Sequence, residues 1–140
     1  RDVSVLDISA TAIDFTRQRL GPQAQQVGWH VGDITQYDFG GQQFDLWHDR
    51  AVFHFLTDPA ARQAYIELVR RSVNPGGYVL MATFGPNGPL KCSGLDVVRY
   101  DAQSLHQEFG DGFHLIGSEF NNHATPMGTH QQFLYCWCNT

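Results

Sequence analysis

Short apolar runs alternate with amphipathic segments along this chain, and the alternation predicts an α/β protein. The first apolar run covers residues 3–8 (VSVLDI), has an acid, Asp7, next to its last residue and predicts a buried strand. Apolar residues then recur at helical spacing after Ser9, a residue type that caps helices, until Gly21-Pro22 ends the helix. Two further strands are expected over 27–31 and 44–48.

The second half of the chain continues the alternation. Asp58-Pro59 is typical of a helix start, because aspartate caps free amides and proline suits the first helical position. The sequence Asn74-Pro75-Gly76-Gly77 predicts the helix end and a tight turn into a strand over 78–84, whose continuous apolarity is typical of burial on both faces. After a long loop over 85–98, we expect a helix over 101–109 and two strands over 113–120 and 131–138.

This order of elements predicts one three-layer, Rossmann-like α/β domain over residues 1–140, with a mostly parallel sheet and an antiparallel strand pair at its carboxyl end. The hydrophobic fraction of 42% excludes a disordered chain. No apolar run approaches the roughly 18 residues that a membrane span needs. The net charge is −5 and the nine Lys and Arg are scattered, so we expect no nucleic-acid partner.

Three cysteines, Cys92, Cys136 and Cys138, bear on the compartment. An odd number without a signal-peptide pattern favours reduced thiols and a cytoplasmic location. Cys136 and Cys138 are two residues apart on a predicted strand, so both sulfurs face the same side. No CxxC pair occurs, and we interpret these residues as small apolar members of the strand rather than a metal site.

Acids stand at the carboxyl ends of three predicted strands: Asp7, Asp33 and Asp49. Ligands of open α/β sheets bind beyond these strand ends. Carboxylates there can accept hydrogen bonds from ribose hydroxyls and from an adenine amino group. One such acid can simply cap the next helix, whereas three in succession favour a nucleotide site.

With these acids in place, the sequence resembles the class I S-adenosylmethionine-dependent methyltransferases. The resemblance rests on VSVLDIS at the start, VGDI at 31–34, FDLWHDRAVFHFL at 44–56 and VNPGGYVLMATF at 73–84. Residues 84–101 are also similar to a bacterial branch that methylates small molecules or proteins. The resemblance runs the length of the chain and implies S-adenosylmethionine as the cofactor.

The resemblance also implies roles for the strand-end residues. Asp7 matches the acid that holds both ribose hydroxyls, and Ile8 matches the apolar residue beside the adenine. Asp33 matches the acid that meets the adenine amino group, with Ile34 against the ring.

The resemblance places a second group beside the methionine portion of the cofactor and the incoming substrate: Asp49 and Arg50, followed by Phe53 and His54. Methyl transfer is an in-line displacement from a sulfonium and depends mainly on positioning and desolvation. A general base is optional, and His48 or His54 is the candidate when the acceptor must lose a proton. The alternative for each histidine is a structural imidazole.

The long loop over 85–98 carries or adjoins Lys91, Arg99 and Tyr100. Loops of this length in compact domains are often functional. These three residues are therefore candidates for binding an anionic group of the substrate. The alternative is that they are ordinary surface or packing residues.

The family's first strand, its glycine-rich turn and its first helix have no counterpart in this sequence, which begins at Arg1. In the family's sheet that strand lies centrally, between the strands that VSVLDI and FDLWH resemble. We therefore expect a sheet that is incomplete at the N-terminus, with two unpaired inner edges. Such edges predict either closure within the chain or pairing with a second copy into a homodimer or larger homo-oligomer.

Two functions stay open on the sequence alone. The first is methyl transfer to an unidentified small-molecule or protein nucleophile, with cofactor binding weakened or lost without the glycine turn. The second is a non-catalytic, methyltransferase-like remnant that oligomerises as a binding or scaffold module. A dehydrogenase-like nucleotide domain explains less, because it too needs the glycine turn and does not account for the NPGG strand or the antiparallel end.

Overall fold

The computed structural model describes residues 2–140. The described residues divide into two compact units, residues 2–38 and Phe39–Thr140. Within residues 2–140, no helix is both long enough and apolar enough to cross a membrane.

The first unit is a parallel strand–helix–strand unit. Ser9 caps the helix, since its hydroxyl oxygen accepts the amide hydrogen of Ala12 at 3.1 Å. At the carboxyl ends of the strands, Asp7 lies opposite Val31, and the Asp7 carbonyl oxygen accepts the amide hydrogen of Gly32 at 3.0 Å. The elements in chain order are β1 (Val3–Asp7), α1 (Ala10–Leu20), a 3-10 helix (Gly21–Gln26) and β2 (Val27–Val31).

The second unit is built on a four-stranded mixed sheet. Its elements in chain order are β3 (Phe44–Arg50), a 3-10 helix (Phe53–Phe55), α2 (Pro59–Ser72), β4 (Val73–Phe84), β5 (Lys91–Cys92), β6 (Leu95–Asp96), α3 (Ala102–Phe109), β7 (His114–Ala124) and β8 (His130–Asn139). The strand order is β3-β4-β8-β7, with β3 parallel to β4 and with β8 antiparallel to both of its neighbours. The α/β class and the antiparallel carboxyl-terminal pair are confirmed.

The core of the second unit lies between this sheet and the helices α2 and α3. Met81 of β4 is opposite Cys136 of β8, and both side chains are buried. Tyr65 of α2 lies above them, with its hydroxyl oxygen 3.6 Å from the Met81 sulfur. The Tyr65 ring also contacts those of Phe53 and Phe109, at centroid distances of 4.9 and 6.5 Å. Both helices therefore pack on the same face of the sheet.

The opposite face is covered at the carboxyl end of β4 by the long loop. Phe84 and Phe133 contact each other edge to face, with ring centroids 5.0 Å apart, and form a cluster with Ala82. Cys92 and Val97 of the loop pack against this cluster. The loop is thereby attached to the sheet, and its middle forms the short antiparallel hairpin β5–β6 that the sequence did not predict.

Two element boundaries differ from the prediction. Helix α2 runs directly into β4, whose pairing already begins with Val73 opposite Phe44, so the turn at Gly76 (φ 80°) is an irregularity inside the strand. Strands β7 and β8 extend to Ala124 and His130, into the segment predicted as a polar connection. Exposed side chains of an edge hairpin need not be apolar, because strand pairing there rests on backbone hydrogen bonds.

Within residues 2–140, β1 and β3 each pair along one edge only. Pairing of the other edges of β1 and β3 with a second copy of the chain stays a prediction.

Candidate functional site

The carboxyl edge of the two-stranded sheet in the first unit carries the first predicted acid. Asp7 is exposed, and its Oδ1 accepts the amide hydrogen of Ser9 at 2.8 Å. Its second carboxylate oxygen accepts no hydrogen bond from the residues that the structure describes. Ile8 follows with 71% of its surface exposed. This end of β1 therefore presents an acceptor oxygen beside an uncovered apolar side chain.

The second acid follows β2 at the same edge. Oδ1 of Asp33 accepts hydrogen bonds from the hydroxyl and the amide of Thr35 at 2.7 and 2.9 Å. These two donors lower the pKa of Asp33, so the exposed carboxylate is ionised at neutral pH. A Cβ atom on Gly32 would lie 2.6 Å from the Tyr37 ring, so this turn requires glycine. Ile34, the predicted adenine contact, is half-buried.

The residues at this edge fit the adenosine part of S-adenosylmethionine. Asp7 and Asp33 offer carboxylate acceptors for hydroxyl and amino groups, and Ile8 offers apolar surface for a base. The glycine turn of the family has no equivalent within residues 2–140: β1 leads into its helix through Asp7-Ile8-Ser9, and the turn after β3 has Ala51 at a positive φ of 65°. The fit therefore covers the adenosine half only.

The third acid, Asp49 of β3, is buried in the second unit. Its Oδ1 accepts the amide hydrogen of Val52 at 2.9 Å, and its Oδ2 accepts the amide hydrogen of Phe53 at 3.1 Å and the hydroxyl hydrogen of Tyr65. Burial raises the pKa of Asp49, while these donors favour its ionised form. The carboxylate therefore holds the turn after β3 and fastens it to α2.

This turn presents Arg50 on the exposed side of the strand. Arg50 Nε donates to the Tyr135 hydroxyl oxygen at 3.3 Å, and its Cζ lies 4.4 Å from the centroid of the Phe133 ring. The next residue, Ala51, has a φ of 65°, which is strained for a residue other than glycine, and its amide donates to the Ala82 carbonyl oxygen at 2.8 Å. The backbone around Arg50 is therefore held by the hydrogen bonds of the Asp49 carboxylate and by that of the Ala51 amide.

The two candidate bases have opposite surroundings. His48 is exposed on β3. His54 is fully buried next to Phe53, its Nδ1 accepts the amide hydrogen of Phe84 at 3.0 Å, and its Nε2 has no partner among residues 2–140. Burial lowers the pKa of His54 to about 4. At neutral pH its ring is therefore uncharged with the proton on Nε2, which suits hydrogen-bond donation rather than proton acceptance.

The candidate anion ligands of the loop are engaged in the structure of the loop itself. Lys91 Nζ lies 3.8 Å from the Asp96 carboxylate across the β5–β6 hairpin. Arg99 Nη1 donates to the Gly88 carbonyl oxygen at 3.1 Å. Tyr100 is buried, and burial raises the pKa of its hydroxyl to about 12.

Sequence reasoning missed the partners that orient Asp49 and Arg50. Tyr65 lies 16 residues from Asp49, and Tyr135 lies 85 residues from Arg50, so no local pattern connects them. The local sequence held only a weaker signal. An acid at a strand end that is followed three residues later by apolar residues often accepts hydrogen bonds from the backbone amides of the turn that follows it.

Two sequence comparisons identify proteins to which this chain is similar. A family profile described as a methyltransferase domain matches residues 1–77. The chain is 27% identical over 128 residues to malonyl-[acyl-carrier protein] O-methyltransferase of a Paenibacillus species, covering 89% of this chain and 41% of that protein. It is 28% identical over 86 residues to the biotin biosynthesis bifunctional protein BioHC of Teredinibacter turnerae, covering 60% of this chain and 15% of that protein. The chain thus spans less than half the length of each curated relative.

Solved structures share the fold. A SAM-dependent methyltransferase of Methanosarcina mazei superposes with a TM-score of 0.78 at 17% identity, covering 99% of this chain and 82% of that one. The N-methyltransferase NodS of Bradyrhizobium japonicum, crystallised with S-adenosylhomocysteine, superposes with a TM-score of 0.71 at 16% identity, covering 98% and 65%. Since the family profile also matches more than half of its length, the chain belongs to the methyltransferase domain family, as its resemblance to the class I S-adenosylmethionine-dependent enzymes predicted.

Proposed function

We propose that this chain serves S-adenosylmethionine-dependent methyl transfer to a nucleophile on a small molecule or a protein. The observation that carries the proposal is the sheet edge of the first unit, where Asp7 and Asp33 follow adjacent parallel strands with acceptor oxygens open to solvent. When bound, S-adenosylmethionine supplies a methyl group on a positively charged sulfur, which becomes a neutral thioether once the methyl group has left.

In this proposal Asp7 accepts hydrogen bonds from the ribose hydroxyls, and Asp33 accepts one from the adenine amino group. Ile8 and Ile34 cover the faces of the base. Each hydrogen bond to a carboxylate contributes about 1.5–3 kcal/mol when formed. The ionised state of Asp33, maintained by its bonds to Thr35, supports an acceptor role at neutral pH.

The second unit carries the other group of predicted site residues. Asp49 acts as a positioning residue, because its bonds to the turn fix the backbone from which Arg50 projects. Phe53 packs in the core beneath that turn. Among the histidines, exposed His48 is the group that takes a proton from a neutral acceptor, whereas buried His54 accepts the amide hydrogen of Phe84 through Nδ1.

Two broader features belong to the proposal. Residues 1–140 form one methyltransferase-like domain, which is supported by the 99% coverage of the chain in the superposition with the Methanosarcina mazei protein. A cytoplasmic location is supported by the three cysteines, Cys92, Cys136 and Cys138, all of which are free thiols.

The open strand edges favour a second candidate function, a non-catalytic scaffold. In it, β1 or β3 pairs with the same strand of a second copy, since unpaired backbone groups at a sheet edge recruit other strands. Light scattering over a range of concentrations tests this candidate, together with hydrogen exchange of the amides in these two strands. A monomer at all concentrations, with both strands fully protected, would exclude pairing between copies.

Titration calorimetry with S-adenosylhomocysteine tests the primary proposal. We expect saturable binding to the wild-type chain and at least tenfold weaker binding to Asp7→Ala, because the lost hydrogen bonds are worth about 1.5–3 kcal/mol. Asp14→Ala is the matched control, as it removes an exposed carboxylate of α1 that is away from the strand ends. No binding at millimolar ligand, or equal affinities for both variants, would contradict the proposal.

A further inference from the structure

We propose that Arg50 recognises a carboxylate group on the methyl acceptor. The inference rests on the methyl-transfer function proposed above and names the chemical class of its substrate. Its starting point is the position of Arg50 as the last residue of β3, at the carboxyl end of a strand that is parallel to β4. Ligands of α/β sheets bind at such ends.

The guanidinium is held in one orientation before any ligand arrives. Its Nε donates to the Tyr135 hydroxyl, and its plane is supported by the Phe133 ring, with 4.4 Å between Cζ and the ring centroid. These two contacts occupy one edge and one face of the group. The remaining edge carries Nη1 and Nη2, whose parallel N–H bonds match the two oxygens of a carboxylate.

No anion among residues 2–140 uses this edge. The ion pairs among residues 2–140 involve Arg62, Arg70 and Lys91, and none involves Arg50. Nη1 and Nη2 of Arg50 also make no hydrogen bond within that range. The protein has a net charge of −5, yet this oriented guanidinium has no carboxylate partner among residues 2–140. It is therefore available to bind an anion that is not part of the chain.

The other cationic candidates are less suited to this task. Lys91 is paired with Asp96, and Arg99 donates to a carbonyl oxygen of its own loop. Lys91 would have to give up its ion pair before binding an anion, and Arg99 has no aromatic ring against its guanidinium plane among residues 2–140, so it is less firmly oriented than Arg50. Arg50 keeps both of its contacts when the free edge binds, so less conformational entropy is lost.

The backbone conformation next to Arg50 also supports a binding role for this residue. Ala51 adopts a positive φ of 65°, which costs roughly 1 kcal/mol or more, and such strain clusters at functional sites. The buried carboxylate of Asp49 holds the same turn through the amides of Val52 and Phe53. The strained turn sets the direction in which Arg50 leaves the strand.

An acceptor carboxylate also fits the protonation states of the site. A carboxylate oxygen is already ionised at neutral pH, so it needs no general base before attack. The only buried histidine on this turn, His54, has its Nδ1 occupied and its pKa lowered to about 4. When the oxygen forms its bond to the methyl carbon, the bond between that carbon and the sulfonium sulfur breaks and no proton moves.

Malonate is the probe, and malonamide is the neutral analogue of the same size. Binding is followed by NMR line broadening of the probe in the presence of the 1–140 chain and saturating S-adenosylhomocysteine. We expect millimolar binding of malonate but not of malonamide. Arg50→Gln should weaken malonate binding roughly tenfold or more. Arg50→Lys should weaken it less, since lysine keeps the charge but lacks the two parallel N–H donors of the guanidinium. Arg71→Gln, which removes an exposed charge from the same unit, should leave it unchanged.

The carboxylate could instead be that of the cofactor, and a second arm separates the two sources. Calorimetry compares S-adenosylhomocysteine, which has a carboxylate, with methylthioadenosine, which has none. If Arg50→Gln weakens only S-adenosylhomocysteine, the acceptor assignment is overturned in favour of the cofactor. Absence of malonate binding, or binding that does not depend on Arg50, also overturns it. If neither S-adenosylhomocysteine nor methylthioadenosine binds the wild-type chain, the proposed function is contradicted. Malonate binding measured without a nucleoside still tests the role of Arg50.

Discussion

The hydroxyl of Tyr65 on α2 donates a hydrogen bond to the buried carboxylate of Asp49 at the end of β3. The indole Nε1 of Trp47 donates to the same hydroxyl oxygen at 3.0 Å, so the chain is continuous from indole to carboxylate. Burial raises the pKa of Tyr65 well above its ordinary value, and the adjacent carboxylate raises it further. The hydroxyl therefore stays protonated and serves as a fixed donor, replacing the water that Asp49 would bind if exposed.

This relationship predicts large and unequal effects on stability. Tyr65→Phe leaves one carboxylate oxygen with fewer donors and should lower the free energy of unfolding by about 2 kcal/mol. Asp49→Ala leaves the amides of Val52 and Phe53 as well as the tyrosine hydroxyl without an acceptor, and should cost about 3 kcal/mol or more. Urea unfolding followed by tryptophan fluorescence measures both values.

The double variant Asp49→Ala/Tyr65→Phe tests whether the two residues act together. Its destabilisation should be smaller than the sum of the single effects by about 1–2 kcal/mol, as expected for residues in direct contact. Tyr78→Phe is the control, because that tyrosine is 53% exposed and its hydroxyl makes no hydrogen bond within residues 2–140. Additive effects would show that the hydrogen bond contributes nothing to stability.

The free energy of unfolding should depend on pH through the protonation of His54. The unfolded chain takes up a proton on this side chain near pH 6.5, whereas the folded chain does so only near pH 4. Protons therefore favour the unfolded chain in that range, and the free energy of unfolding should fall by about 3 kcal/mol as the pH drops from 6.5 to 4. Urea midpoints measured at half-unit intervals of pH give this curve.

His54→Asn is the informative variant, since an amide oxygen can replace Nδ1 as the acceptor for the Phe84 amide but does not titrate. The variant is expected to be less stable at pH 7 and to lose most of the slope between pH 6.5 and 4. His114→Asn, at an exposed position of β7, should keep the wild-type slope. An unchanged slope in His54→Asn would assign the pH dependence to other groups.

The sequence identified the positions of the strand-end acids but not their surroundings. Asp7 and Asp33 are exposed, as is typical of ligand-binding acids, because Asp7 is the last residue of β1 and Asp33 lies in the turn after β2. Asp49 also lies at the carboxyl end of its strand, yet its side chain points to the face that α2 covers. Which face a strand-end side chain occupies depends on the helix that packs there, and this packing is a long-range property.

The same distinction explains the element boundaries. Local chemistry determines the starts of helices: Ser9 and Asp58, both predicted as caps, and also Asp101 each accept a backbone amide hydrogen of the first turn through a side-chain oxygen. Strand ends depend on the neighbouring strand. Pairing with His130 carries β7 to Ala124, although the local sequence is polar.

Ala51→Gly should increase stability, which is the opposite of the usual effect of glycine. Alanine at a φ of 65° is strained, and glycine adopts this conformation freely, so a gain of about 0.5–1 kcal/mol is expected after the entropy of the unfolded chain is included. Ala64→Gly, in the interior of α2, should instead destabilise by about 1 kcal/mol. Equal losses in both variants would show that the turn after β3 is not strained.

The three thiols should differ sharply in reactivity. Cys92 is half-buried in the loop, whereas Cys136 and Cys138 are buried on β8 beneath α3. Interaction between the latter two thiols lowers the pKa of Cys138 and raises that of Cys136, but access rather than ionisation limits a buried thiol. We expect a disulfide reagent such as DTNB to modify one thiol rapidly and the other two only at the rate at which the chain opens.

Replacement of single cysteines identifies the rapid thiol. Cys92→Ser should abolish the fast phase, and Cys138→Ser should leave it intact. Urea below the unfolding midpoint should accelerate the slow phase and not the fast one, because only the slow phase requires exposure of the face of β8 that α3 covers. Rapid modification of two thiols in the native chain would mean that α3 opens without global unfolding, and that this part of the core is less stable than its packing indicates.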